Sequence, residues 1–381
     1  MFKKSMAALA VLSLSAGLAS ASEVTLYGIV DNGLLYKHSK VETNGVSTKT
    51  DSFALESGIS SPSRFGIKGS EDLGNGMTVS FKLENGFNAD DGSFGDDRLF
   101  NRESSLTLSG DFGKLSFGRM GAIGSAAGDF DAAFAIGDAF DGGSPNVLGL
   151  VKSDRYDNMI TYQTPKFAGL QATVQYSFNE DSVEETAREG SSAVNRYASA
   201  GLTGNFGALN TVLAYEFQNY QSVADDARSE DGHIVYLGGN YDCGFAKTFV
   251  MGQYFKGIKL STVSSFGMLS EADKKVADGE YDKGTKGFGA HLGTIVPISN
   301  GDLTVGAYYV DGTAETSKTD VEERDFDYLG FATKYEYRLS KRTSVYLGAG
   351  FYKATVDATS GQNNEIEQKV GEVYTGLTHA F

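Results

Sequence analysis

Four histidines, one cysteine and a loop rich in aspartate are where any chemistry in this chain would have to reside. Nucleophilic or acid–base catalysis needs convergent groups, usually including a histidine. His38, His233, His291 and His379 are scattered along the sequence, and none stands at a spacing from Ser or Asp that suggests a site. Cys243 is the sole cysteine, so no internal disulfide forms, and its setting, "YDCGFA", is that of a small residue in a turn. Cysteine–histidine clusters for a metal are absent, no cofactor is implied, and "TKGFGAHLG" reads as a strand eased by small residues rather than as a phosphate loop. The informative stretch is residues 121–154, "GAIGSAAGDFDAAFAIGDAFDGGSPNVLGLVKSD". Asp129, Asp131, Asp138 and Asp141 alternate there with Phe130, Phe134, Ile136 and Phe140, and no basic residue precedes Lys152. A solvated loop has no need of those aromatics. The expectation is that they pack against a wall while some of the aspartates face water.

An acidic loop lining a passage matters if it faces cations, and strand periodicity says which cations point the right way. Side chains alternate faces along a strand. In "SRFGIKG" Phe65 and Ile67 take one face, leaving Arg64 and Lys68 on the other; "MTVSFKLE" puts Lys82 and Glu84 on the polar face, and "RYDNMITY" puts Arg155 opposite Ile160 and Tyr162. By the same alternation His291 points inward. Arg119, in "SFGRM", shares parity with Leu115 and Phe117 and is expected to brace the loop rather than to line a hole.

The elements that carry these residues form a regular series. "LQATVQYSF" and "YLGFATKYEYRL" alternate apolar and polar residues with period two. Seven short turns ("SEDLGNG", "SGDFGK", "TPKFAG", "NFGAL", "DCGF", "ISNGD", "LSKRT") alternate with eight long polar segments near 38–62, 88–97, 120–154, 179–193, 221–231, 257–284, 312–325 and 356–366. That count implies sixteen strands, the layout of an all-β, antiparallel transmembrane barrel with short turns at one rim and long loops at the other. Closure pairs the first strand, "EVTLYGIVDNGLLY", with the last, and both ends fall on the short-turn, periplasmic side. The last strand, "VYTGLTHAF", ends on Phe381, an aromatic suited to the interfacial girdle, with Leu377 and Val373 above it facing lipid.

The amino terminus, "MFKKSMAALAVLSLSAGLASA", has Lys3 and Lys4 before an apolar run from about Met6 to Leu18 and then Ala19-Ser20-Ala21. This is the three-part plan of a secretory signal, so residues 1–21 are expected to be removed and 22–381 to form a single barrel. The formal net charge of −16 argues against a nucleic-acid partner.

The segments "VTLYGIVDNGLLY", "SRFGIKGSEDLGNGMTVSFKLENGFN", "LSGDFGKLSFGRM", "RYDNMITYQTPKFAGLQATVQYSF" and "GLTHAF" resemble, in order from end to end, the general diffusion porins of Gram-negative outer membranes, in the branch typical of Burkholderia and Neisseria. The resemblance implies a sixteen-stranded homotrimeric barrel with its third long loop folded into the lumen. It also implies contact with outer-membrane lipid and lipopolysaccharide, and a terminal aromatic, Phe381, read by the barrel-assembly machinery. It further implies a basic cluster on the wall facing the loop, with Arg64, Arg102 and Arg155 in those places; Arg102 shares parity with Leu106 and Leu108, so alternation alone leaves its side open. The expected activity is passive diffusion of small hydrophilic solutes and ions, with Arg64, Arg102, Arg155, Lys68 and Lys82 facing Asp129, Asp131, Asp138 and Asp141. The competing readings are a barrel serving mainly as an adhesin or surface antigen, a barrel hydrolase, and a soluble secreted sandwich.

Overall fold

The computed structural model describes residues 23–43, 45–142, 147–180, 194–220, 230–267, 277–357 and 365–381. The signal-like segment 1–21 and the acidic stretch 181–193 lie outside the described residues. Strand alternation converts into one antiparallel sheet that closes on itself. Its strands are β1 (Glu23–Thr43), β2 (Val46–Ser57), β3 (Arg64–Gly74), β4 (Met77–Gly86), β5 (Glu103–Gly110), β6 (Gly113–Gly121), β7 (Arg155–Gln163), β8 (Leu170–Glu180) and β9 (Asn195–Phe206). They continue with β10 (Leu209–Asn219), β11 (Gly232–Asp242), β12 (Lys247–Ile258), β13 (Gly284–Ile298), β14 (Gly301–Glu315), β15 (Arg324–Arg338), β16 (Thr343–Val356) and β17 (Ile366–Ala380).

Among the described residues seventeen strands fill sixteen places in the wall. The upper half of β1 pairs with β2, from Asn32 opposite Ser57 to Thr43 opposite Val46, and its lower half pairs with β3, from Ile29 opposite Arg64 to Glu23 opposite Ser70. β2 and β3 are thus one wall strand broken at residues 58–63. The polar connection expected over 38–62 is therefore not a loop. The β-branched residues Val41, Thr43, Val46, Thr48 and Thr50 favour the pleat, and the β1–β2 hairpin continues the sheet outward.

On the other edge β1 pairs with β17, Ile29 opposite Ala380 and Thr43 opposite Ile366, which closes the barrel and leaves its wall without an open edge. Phe381 completes this seam: its N–H donates to the Gly28 carbonyl at 3.1 Å, and the Gly28 N–H donates back at 3.3 Å. The Phe381 ring lies over Gly28 so closely that a Cβ there would stand 2.4 Å from ring carbon Cζ.

The outward face carries Leu26, Ile67, Leu106, Phe117, Val174, Leu237, Leu292, Phe331, Leu347 and Leu377, all exposed. An apolar band running round a whole molecule is untenable in water and is what a bilayer requires. Among the described residues no helix is long and apolar enough to cross a membrane; the crossing is made by strands. The buried apolar cluster lies inside the barrel, where loop residues Ile123, Phe134, Val147, Leu150 and Val151 pack on Tyr236, Met251, Tyr308 and Tyr328 of the wall.

Candidate functional site

The third long connection, between β6 and β7, turns into the lumen instead of out into water. Its apolar residues supply one reason: Phe134 in the short helix α1 (Ala133–Gly137) is wholly buried, edge-on to Tyr236 with ring centroids 6.0 Å apart, and Phe130 packs with Met120 and Met159. The other reason is backbone polarity, since peptide groups withdrawn from water need partners. Inward-facing wall residues provide them, strand by strand.

Gln175 on β8 donates to the Gly121 carbonyl at 3.1 Å and accepts the Ile123 N–H at 2.9 Å. Glu216 on β10 accepts from the Gly124 N–H at 2.8 Å, the Ser153 hydroxyl at 3.0 Å, Tyr197 at 2.5 Å and Tyr236 at 3.2 Å. Asn240 on β11 donates to the Ile136 carbonyl at 2.8 Å, and Gln253 on β12 accepts the Val151 N–H at 2.9 Å. On β13, Nδ1 of His291 lies 3.0 Å from the Ala307 carbonyl, which can only accept, so Nδ1 carries the proton and Nε2 accepts the Ala139 N–H at 3.2 Å.

Seated in this way, the loop faces the β3–β7 side of the wall across a cavity of about 770 Å³. Arg64, Lys82, Arg102 and Arg155 line it from the wall, and Asp129, Asp131 and Asp141 line it from the loop. Lys82 bridges the two sides, 2.7 Å from Asp129 and 2.9 Å from the buried Glu103. Arg102 is held by Glu84 at 2.6 Å. It lies inside because it precedes β5, where strand alternation does not yet apply. Arg64 and Arg155 are held loosely: Arg64 donates to the Pro62 carbonyl at 3.2 Å, and Arg155 lies 3.8 Å from Asp154. Among the described residues neither guanidinium has a closer acceptor. Burial, and then the neighbouring Asp141 carboxyl, raises the Asp131 carboxyl well above the usual carboxylate range. The two acids thus carry less than two full charges near neutrality.

Two residues expected at the constriction stand elsewhere. Asp138, expected to face water, is 2% exposed and turned into the wall, accepting from the Tyr308 hydroxyl at 2.8 Å and lying beside the neutral His291 ring. Tyr308 of β14 offers it a donor, and the loop backbone N–H groups of Phe140 and Gly142 offer two more. Lys68 points inward but one step lower, over the Tyr27 ring at 5.1 Å, and lines a separate cavity of about 320 Å³ that shares Lys82 and Asp129 with the central one. Arg119 follows Gly118, whose φ of +125° breaks the pleat and where a Cβ would stand 2.0 Å from the Ser104 carbonyl oxygen. Its guanidinium bonds the Asn101 carbonyl and Asp157, each at 2.7 Å, so it ties the second long connection to β7. The loop-seating residues Gln175, Glu216, Asn240 and Gln253 escaped sequence reasoning; the available signal was a polar side chain at an inward position on each of several consecutive strands.

The profile of the Gram-negative porin family matches residues 8–357. An outer membrane porin protein of Bordetella pertussis is 31% identical, with 92% of this chain and 94% of that protein covered. Among solved structures, an anion-selective porin from Comamonas acidovorans superimposes with a TM-score of 0.62 at 26% identity, over 95% of this chain and all of that one. An outer membrane protein of Vibrio cholerae, solved in its trimer form, shares the fold with a TM-score of 0.59 at 14% identity, over 95% of this chain and all of that one. With the closed barrel, its lipid-facing belt and the charged passage inside it, these likenesses make the chain a member of the Gram-negative porin family, a channel of the outer membrane.

Proposed function

We propose that small hydrophilic solutes cross by passive diffusion through the central cavity. Arg64, Arg102, Arg155 and Lys82 form its basic rim, and Asp129, Asp131 and Asp141 its acidic rim. The observation that carries this reading is the convergence of both sets on one cavity of about 770 Å³. Opposite charges across a narrow, low-dielectric throat set up a transverse field that orders water and dipolar solutes and penalises apolar ones. No energy source and no catalytic step belong to this mechanism.

The same arrangement favours a mild preference for anions. Lys82 is shared between Asp129 and the buried Glu103, Arg102 is paired with Glu84, the Asp131–Asp141 pair carries less than two full charges, and Arg64 and Arg155 are held only loosely. The Comamonas porin being anion-selective supports this reading. Exposed acidic loops gather cations at low salt, but their charge is damped over a Debye length of about 10 Å at 0.1 M, while groups in the throat are screened less, so anion preference rises with salt. Three copies assemble, as in the trimeric Vibrio relative, residues 1–21 direct export, and Phe381 serves as the assembly signal.

Reversal potentials in planar bilayers test the site. Arg64→Gln with Arg155→Gln shifts selectivity toward cations, and Asp129→Asn with Asp131→Asn and Asp141→Asn shifts it toward anions. An unchanged reversal potential in both variants removes these residues from the constriction.

A further inference from the structure

The third loop is not alone in the lumen. After β12 the chain makes two short 3₁₀ turns, Leu260–Thr262 and Ser264–Phe266, and these also pack inward. Leu260, Val263 and Phe266 are buried in the same apolar cluster as Val147, Leu150 and Val151 of the third loop. Phe266 stands edge-on to Phe326 of β15, with ring centroids 5.1 Å apart. Two serines fasten the segment on either side: the Ser264 hydroxyl donates to the Leu148 carbonyl of the third loop, and the Ser265 hydroxyl donates to the Asp327 carbonyl of β15 at 3.2 Å. A connection serving only to join β12 to β13 has no cause to give up this much water contact. Its exposed residue Thr262 lines the central cavity together with Arg64, Arg155 and Asp131. The Thr262 hydroxyl donates to the Lys259 carbonyl at 2.7 Å, which fixes the side chain at that rim.

We propose that residues 260–266 are a second constriction element, in which Thr262 helps set the size limit of the throat while Ser264 and Phe266 wedge the third loop against the wall. This rests on the central cavity being the water path. The channel then has three rims, one basic, one acidic and one neutral. Bulk at position 262 narrows the passage without altering its charge, and a charged group there tilts selectivity.

The test uses the full-length channel purified from outer membranes, in a Cys243→Ser background, with Thr262→Cys in one variant and Asp129→Cys in another. Each is treated in planar bilayers with a negatively or a positively charged methanethiosulfonate reagent, and modification is confirmed by mass spectrometry. An adduct of about 100 Å³ in a cavity of about 770 Å³ is expected to lower single-channel conductance of the Thr262→Cys variant by on the order of 10–20%. The negative adduct moves its reversal potential toward cations and the positive one toward anions. Modified Thr262→Cys channels with unchanged current, or a cysteine there that the reagents do not reach, overturn the proposal while Asp129→Cys still responds. If neither variant responds, the cavity is not the path, and both the proposal and the site reading fall together.

Discussion

Glu216 is where the seating of the third loop is most concentrated. Its carboxyl receives four donors, and two of them, the Gly124 N–H and the Ser153 hydroxyl, belong to opposite limbs of the loop, so one side chain on β10 ties both limbs to the wall. A hydrogen bond to a charged group contributes about 1.5–3 kcal/mol and a neutral one about 0.5–1.5 kcal/mol. Glu216→Gln preserves the oxygen that takes the Gly124, Ser153 and Tyr197 bonds but removes its charge, a loss of about 1 kcal/mol for each of three bonds, or about 3 kcal/mol in all. Since 1.4 kcal/mol is tenfold in population, a loop that leaves its seat rarely in the parent should do so about 100-fold more often in the variant. Glu216→Leu strands all four donors at about 1–3 kcal/mol each, and even with Tyr236 partly served by the Val151 carbonyl at 3.3 Å the loop should lose its single position. Ser153→Ala removes one donor and should cost only about 1 kcal/mol, less than additively with Glu216→Gln because the two share a bond. Single-channel recording at fixed voltage reads this directly as open-channel noise and dwell time in partly closed levels. A Glu216→Leu channel with the parent's noise and the parent's resistance to protease in residues 122–154 refutes the reasoning.

Acidification should move selectivity toward anions, because a carboxyl whose value is raised takes up its proton before ordinary carboxylates do as pH falls; here the acidic rim loses charge while the guanidinium rim keeps its own. The transition should sit well above the usual carboxylate value of about 4, and Asp131→Asn should flatten it; a transition near 4 in the parent channel contradicts the assignment. Deleting Phe381 should lower the yield of barrel in the outer membrane. Gly28→Ala should do so more weakly, since its Cβ would collide with the Phe381 ring at 2.4 Å and with the Arg64 carbonyl oxygen at 2.6 Å; parental yield in both counts against the seam. Cys243, exposed in the short turn between β11 and β12, should accept a small thiol reagent with no change in conductance. A blocked current would place it in the passage.

What the sequence made legible was whatever depends on neighbours one or two residues away. The pleat alternates from Arg64 to Asp72 of β3 and through β4 and β13, so Arg64, Lys68, Lys82 and His291 could be assigned to the inner face before any contact was known; in β7 a register shift and the φ of +51° at Asn158 interrupt it between Arg155 and Met159. Legibility ended where the pleat is interrupted or where the partner is remote. Arg102 lies just outside β5, and Arg119 follows a glycine that breaks the repeat. The β1–β2 hairpin reads as a polar loop because Ser47, Thr48, Lys49, Thr50 and Ser52 are exposed on both faces of β2. Asp138 looked like Asp129 and Asp141 because nothing local distinguishes them; its donor Tyr308 and its neighbour His291 lie far along the chain on strands whose register against the loop no periodicity encodes. The inward turn after β12 was hidden for the same reason: Ser264 meets Leu148 across the lumen, more than a hundred residues back.

The pairing of β1 with β17 also has a kinetic consequence. Its contacts, such as Ile29 with Ala380, are among the least local the chain can make, and topology of this kind folds slowly because closure entropy must be met before the pairing rewards it. Until the last strand arrives, the backbone donors and acceptors along one side of β1 have no partner, and hydrocarbon offers none. A half-inserted chain therefore leaves that edge of β1 unsatisfied in lipid. Phe381, bonded to Gly28 at the foot of the seam, fixes the register in which that edge is met.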